Sequence, residues 1–170
     1  MVVIGTSAGG VSALEKVIGG IEEPLNYAIA IVIHVSPDIE SGMVKLLKNY
    51  TSLPVSEPCD KELIESGHIY IAPSNYHMMI ERDGSFSLNL GPKEHYCRPS
   101  INVLFETAAE SYLDGVTCIL LTGANSDGAE GVRAIKSLGG VTIAQDPKEA
   151  QVAVMPQSGI DTGDVDHIFL

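Results

Sequence analysis

Three side chains in this sequence have the types that acyl transfer requires: a hydroxyl nucleophile, an imidazole base and a carboxylate to orient the base. They are Ser7, His34 and Asp127. Ser7 follows the apolar run Val2-Val3-Ile4 and stands in Gly5-Thr6-Ser7-Ala8-Gly9, a G-x-S-x-G turn between a strand pattern and a helix pattern. His34 ends the run from Ala28 to Ile33, and Asp127 closes the turn that begins at Thr122 after the run from Val116 to Leu121. Each has a plainer reading. Ser7 and Asp127 are both good helix N-cap residues, and His34 could be a core histidine with a satisfied ring. Position favours the joint reading. All three directly follow strands, and an open parallel sheet binds its ligands outside the carboxyl ends of its strands.

The turn at Ser7 adds to this. Its glycines allow a tight backbone, and the helix behind it offers free N–H groups and a positive dipole end to a developing oxyanion. The chain order is Ser, His, Asp, whereas α/β-hydrolases run Ser, acid, His, so an ordinary lipase or esterase does not fit. Gly5, Ser7 and Gly10 also occupy the positions of the three glycines in a dinucleotide fingerprint. There the central glycine is replaced by Ser7, and His34 stands where an acidic residue should end the second strand, so cofactor binding is disfavoured. His95 and Cys97 are two residues apart with no second ligand pair nearby, which is thin support for zinc, and a Cys97 nucleophile would need a base that the sequence does not reveal. His77 reads as decoration of a hairpin.

The elements that must position these residues follow from periodicity. Val11, Leu14, Ile18 and Ile21 mark one helix face, stopped near Gly19-Gly20. A helix is expected over Ser41 to Asn49, a strand over His68 to Ala72, and a hairpin over His77 to Leu90 around Asp83-Gly84. Ser100 is the expected N-cap of a helix through Ile101, Leu104, Phe105 and Ala108. A further helix spans Ala129 to Leu138, a strand Val141 to Ala144, and a helix or loop region follows Asp146. Alternating strands and helices predict an α/β fold: a doubly wound, mainly parallel sheet with helices on both faces and a small antiparallel hairpin.

Composition closes off other classes. The chain has 170 residues, enough for one domain with a single substantial core. Its net charge is −12 and it has no Lys/Arg cluster, which excludes nucleic acid and argues against anionic membrane surfaces. No apolar run approaches the roughly 20 residues of a membrane span. Three cysteines without CxxC spacing suggest a reducing, cytoplasmic setting with no disulfide framework.

Five segments together resemble the catalytic domain of the chemotaxis protein-glutamate methylesterase family, CheB. They are Ile4-Gly5-Thr6-Ser7-Ala8-Gly9-Gly10, Ile33-His34-Val35-Ser36-Pro37, Gly67-His68-Ile69-Tyr70-Ile71-Ala72-Pro73, Arg98-Pro99-Ser100-Ile101-Asn102-Val103-Leu104-Phe105, and Leu121-Thr122-Gly123-Ala124-Asn125-Ser126-Asp127-Gly128-Ala129. The resemblance implies a serine hydrolase, without metal or other cofactor, that demethylates glutamates on methyl-accepting chemotaxis receptors and in many members deamidates receptor glutamines. It implies Ser7 as nucleophile, His34 as base and then acid, and Asp127 as orienter. Backbone N–H groups of Ala8 and Ala124 would hold the oxyanion, and Arg98 is a candidate substrate contact. The family often has Thr where this chain has Ala8, and its acid turn usually reads Thr-Gly-Met-Gly-x-Asp-Gly rather than the Thr-Gly-Ala-Asn-Ser-Asp-Gly found here. That difference keeps open an alternative, a catalytically weak receptor-binding or regulatory module on the same fold. Residues 1–170 read as a single catalytic domain without the receiver domain typical of the family, so a receiver or methyltransferase domain is expected to be separate or missing.

Overall fold

The computed structural model describes residues 1–34 and 42–169. Val35 and its neighbours through Ser41, including the start of the expected 41–49 helix, lie outside the described residues. Among the described residues there are nine strands: β1 (Val2–Thr6), β2 (Ile29–Ile33), β3 (Val55–Ser56), β4 (Ile69–Ile71), β5 (His77–Ile80), β6 (Phe86–Asn89), β7 (Thr117–Leu120), β8 (Val141–Gln145) and β9 (His167–Phe169). The described helices are α1 (Gly10–Gly19), α2 (Met43–Leu47), α3 (Ile101–Tyr112), α4 (Ala129–Ser137) and α5 (Val154–Ile160).

Seven strands form one sheet in the order β3-β4-β2-β1-β7-β8-β9, every neighbouring pair parallel. The central β1 is apolar at nearly every position because it is covered on both faces. Val3 and Ile4 point to opposite faces, as the two-residue period of a strand requires, and each joins a different core. Val3 packs with Phe105, Ala108, Val132 and Met155, from α3, α4 and α5. Ile4 packs with Leu14, Ile18, Met43 and Leu47, from α1 and α2. Helices therefore cover both faces. β5 and β6 form the separate antiparallel hairpin, with Phe86 and Met78 buried against the first core.

The chain winds outward from β1 in two directions, to β2 on one side and to β7 on the other. Ligand crevices in such sheets lie where the winding reverses, and here that is the carboxyl end of β1. Thr6 is in register with Ile33, and Gly5 with Leu120. The turns after β1, β2 and β7 consequently emerge side by side.

Two strands have no clear sequence signal. β3 is only two residues long, and β9 is an edge strand with Ile168 about half exposed, so neither shows the double-sided apolar run of an inner strand. The region after Asp146 resolves into α5 followed by β9.

Candidate active site

The serine turn is built by its own glycines and by β7. Gly9 holds φ at +80°, a conformation open to glycine, and a Cβ there would lie 2.7 Å from the Gln151 side chain. Gly9, not Ser7, is the N-cap of α1, so the capping reading of Ser7 does not hold. The Ser7 N–H donates to the Thr122 carbonyl at 3.0 Å, and the Thr6 hydroxyl donates to the same oxygen at 2.9 Å. The Thr122 hydroxyl donates to the Ala8 carbonyl at 2.9 Å. The turn between β1 and α1 is thus tied to the turn after β7. Ser7, Ala8, Gly9, Val11, His34 and Gln151 line one cleft of ≈ 390 Å³.

Asp127 reaches the site from the far side of the same turn. It is fully buried, and Gly128 rather than Asp127 caps α4. Its carboxylate instead closes the N-terminus of a different helix. Oδ2 accepts from the Ile101 N–H at 2.7 Å, and Oδ1 accepts from the Asn102 N–H at 3.0 Å and the Ser100 hydroxyl at 2.9 Å. Free amides and a positive dipole end at the start of α3 favour an anion there. Burial alone would raise the Asp127 pKa. The partners His34, Asn102 and Ile101 outweigh it and hold the carboxyl below its usual value.

His34 completes the pair. Its backbone N–H donates to the Thr6 carbonyl, extending the β1–β2 ladder by one residue. Nε2 lies 3.0 Å from Asp127 Oδ2, with its N–H aimed off the direct line. Burial pulls the His34 pKa down, but the Asp127 carboxylate and the neighbouring Cys97 push it up to about 9. Since Nε2 faces the carboxylate, Nδ1 is the nitrogen left for proton transfer. Among the described residues, Ser7 Oγ makes no hydrogen bond to His34. The Cys97 thiol lies 3.7 Å from Nδ1.

Ser100 is the N-cap of α3, as its position before the apolar pattern suggests, and its hydroxyl accepts from the Val103 N–H at 3.5 Å. One polar residue that the sequence did not single out, Asn102, adds to the support. Buried Asn102 accepts the N–H groups of Gly128 and Gly131 at 2.8 and 2.9 Å. Asp127 thus caps α3 from the α4 side, while Asn102 caps α4 from the α3 side. His77 is no surface decoration. It is 4% exposed, its Nδ1 accepts from the Ser100 N–H, and its Nε2 donates to the Pro92 carbonyl.

The remaining candidates separate. Arg98 donates from Nε and Nη2 to Asn75 Oδ1 and from Nη1 to the carbonyls of Leu90 and Gly91, so most of its donors hold the protein's own loops. Ala8 lines the cleft, while Ala124 sits exposed on the turn after β7. His95 lines a different cavity with Ser126, Glu130 and Arg133, and it is its backbone carbonyl that accepts from the Cys97 thiol, at 3.5 Å.

This fold and site define a class: a doubly wound α/β protein with a buried carboxylate–imidazole pair and a serine turn at the switch point of its sheet. Comparison with known proteins is specific. The model of the family described as CheB methylesterase matches residues 2–170. A putative protein-glutamate methylesterase/protein-glutamine glutaminase of Leptospira interrogans is 41% identical over 168 residues, covering 99% of this chain and 87% of that protein. A protein-glutamate methylesterase/protein-glutamine glutaminase of Pyrococcus abyssi is 35% identical over 98% of this chain, and the chain spans 46% of its length. The crystal structure of the Thermotoga maritima CheB methylesterase catalytic domain superposes with a TM-score of 0.94 at 32% identity, covering 98% of this chain and 90% of that one. The chain belongs to the CheB methylesterase family and has the fold of its catalytic domain, that of protein-glutamate methylesterase/protein-glutamine glutaminase enzymes.

Proposed function

We propose that this chain demethylates glutamate γ-methyl esters on methyl-accepting chemotaxis receptors in the cytoplasm, releasing methanol, and deamidates receptor glutamines by the same route. The observation that carries the reading is the His34–Asp127 pair, 3.0 Å apart, on the cleft that Ser7 shares. Ser7 Oγ attacks the ester carbonyl while His34 Nδ1 takes its proton. The tetrahedral intermediate collapses as Nδ1–H protonates the departing methoxide. Water then attacks the acyl-enzyme, giving up a proton to Nδ1 that returns to Ser7 as the glutamate carboxylate leaves. For a glutamine substrate, ammonia takes the place of methanol.

Asp127 keeps the proton of neutral His34 on Nε2, so that Nδ1 is basic, and it stabilises the imidazolium that forms. The N–H of Ala8, at the start of α1, is suited to the oxyanion, with Ala124 as the second donor from the facing turn. Arg98 serves the substrate through the loops it fixes, those of Asn75 and of Leu90-Gly91, beside the start of α3. The family alternative of a weakly catalytic binding module predicts no reactive serine.

Ser7→Ala tests the assignment. Methanol release from methylated receptor should fall to background while circular dichroism and melting stay those of the native chain. An active-site serine probe should label the native protein at Ser7 only. Turnover unchanged in Ser7→Ala would remove the nucleophile, and absent labelling together with tight receptor binding would favour the module.

A further inference from the structure

The hydroxyl nucleophile is not the only group competing for His34. Cys97 Sγ lies 3.7 Å from His34 Nδ1, and Asn125 Nδ2 donates to the same sulfur at 3.4 Å. A nitrogen of His34, the Cys97 sulfur and an oxygen of Asp127 all lie within 4.8 Å of one another. We propose that His34 Nδ1 and Cys97 Sγ form a binding site for a thiophilic divalent cation of the zinc type, and that occupation of this site inhibits the enzyme.

The donor separation supports this. Zinc bonded at about 2.3 Å to sulfur and about 2.0–2.1 Å to nitrogen in a tetrahedron sets these two donors roughly 3.5 Å apart. The observed 3.7 Å therefore needs almost no rearrangement. Asp127 belongs in the outer shell. Its oxygens already serve Ser100, Ile101 and Asn102, and its contact with Nε2 reproduces the carboxylate–histidine–zinc arrangement that fixes the ring and raises the basicity of the ligating nitrogen. The Asn125 amide plays the corresponding part for the sulfur. Two protein ligands leave two positions to water, so binding is reversible and the site is open rather than structural.

Binding displaces the thiol proton and leaves oxidation states unchanged. The cation occupies the same Nδ1 lone pair that must accept the Ser7 proton, so bound metal and acyl transfer exclude each other. This inhibitory consequence rests on the proposed role of His34, but the binding does not. Sequence spacing could not show the site, because its two ligands are 63 residues apart.

Cadmium, which gives an ultraviolet charge-transfer band with thiolate, reads the site directly. The full chain titrated with Cd²⁺ should show a band that survives Cys59→Ser and disappears in Cys97→Ser and in His34→Ala. Cys118 is fully buried and should contribute nothing. Zinc should inhibit ester hydrolysis by the Cys59→Ser protein, with recovery on adding a chelator. Relative to each protein's own metal-free rate, Cys97→Ser should need at least about tenfold more zinc for the same inhibition. A band that persists in Cys97→Ser, or zinc inhibition equal in the two proteins, would overturn the proposal. If no ester is hydrolysed under any condition, the function is wrong, and the cadmium titration still decides the site.

Discussion

Asp127 is the residue on which two kinds of chemistry meet. Its carboxylate lies 3.0 Å from His34 Nε2, where the proposed function has it orient the ring, and it also satisfies the first amides of α3. Asp127→Asn should therefore act twice. The amide can accept from Ile101 or Asn102 only by turning its NH₂ toward other donors, and it no longer selects the right imidazole tautomer. Methanol release should drop by about 10⁴-fold, the magnitude seen when an orienting Asp becomes Asn in a serine-protease triad. Denaturant unfolding should show a loss of about 1–3 kcal/mol from the mismatched buried donors. Full activity in a destabilised protein would separate the two roles. At this scale the candidate residues were legible because each follows a strand, Ser7 and His34 at its end and Asp127 across one turn. Asn102 was not, and Cys97 was legible only beside His95, since the partners of both lie across the fold. Asn102 looks in sequence like any polar helix residue, and only its pairing with Gly128 and Gly131 explains its burial.

Among the elements, α3 and α4 carry the site between them. They pack closely because Gly131 faces Phe105, and a Cβ at that position would stand 2.4 Å from Phe105 Cβ. That neighbouring atom is fixed to the backbone, so the helices themselves must separate. Gly131→Ala should lower stability by about 1–3 kcal/mol, measured by chemical denaturation. It should also reduce kcat, since moving α4 displaces the Gly128 and Gly131 amides that Asn102 holds and with them the Asp127 turn. A variant with native kcat and native stability would show that the helix contact yields freely. The period of apolar residues located α1, α3 and α4 because each buries one face on the sheet. It failed for β3 and β9 because an edge strand, or a two-residue one, need not be apolar on both sides.

At the level of the whole molecule, the raised pKa of His34 links stability to activity with opposite signs. A group whose folded pKa of about 9 exceeds its unfolded value of 6.5 adds stability that is complete below pH 6.5 and is lost as the pH rises through 9. The base form that can accept the Ser7 proton grows over the same interval. With chelator present, kcat/KM should climb from neutral pH to a plateau above pH 9, while the melting temperature declines across that window. Parallel profiles, or a rate already level at neutral pH, would contradict the His34 assignment. The overall architecture was the most legible feature of all. Runs such as Ala28 to Ile33 bury on both faces of the sheet, and they located the strand ends from which the turns carrying the three candidate residues emerge.

The reciprocal capping of α3 and α4 has a bearing on how such a chain can change over time. The carboxylate to which the proposed function gives a catalytic part is also a joint between two helices, so substitutions there are penalised in shape as well as in turnover. A lineage drifting toward a folded but idle descendant cannot begin by discarding this group cheaply. Ser7, whose hydroxyl holds nothing in place among the described residues, is the easier part to lose.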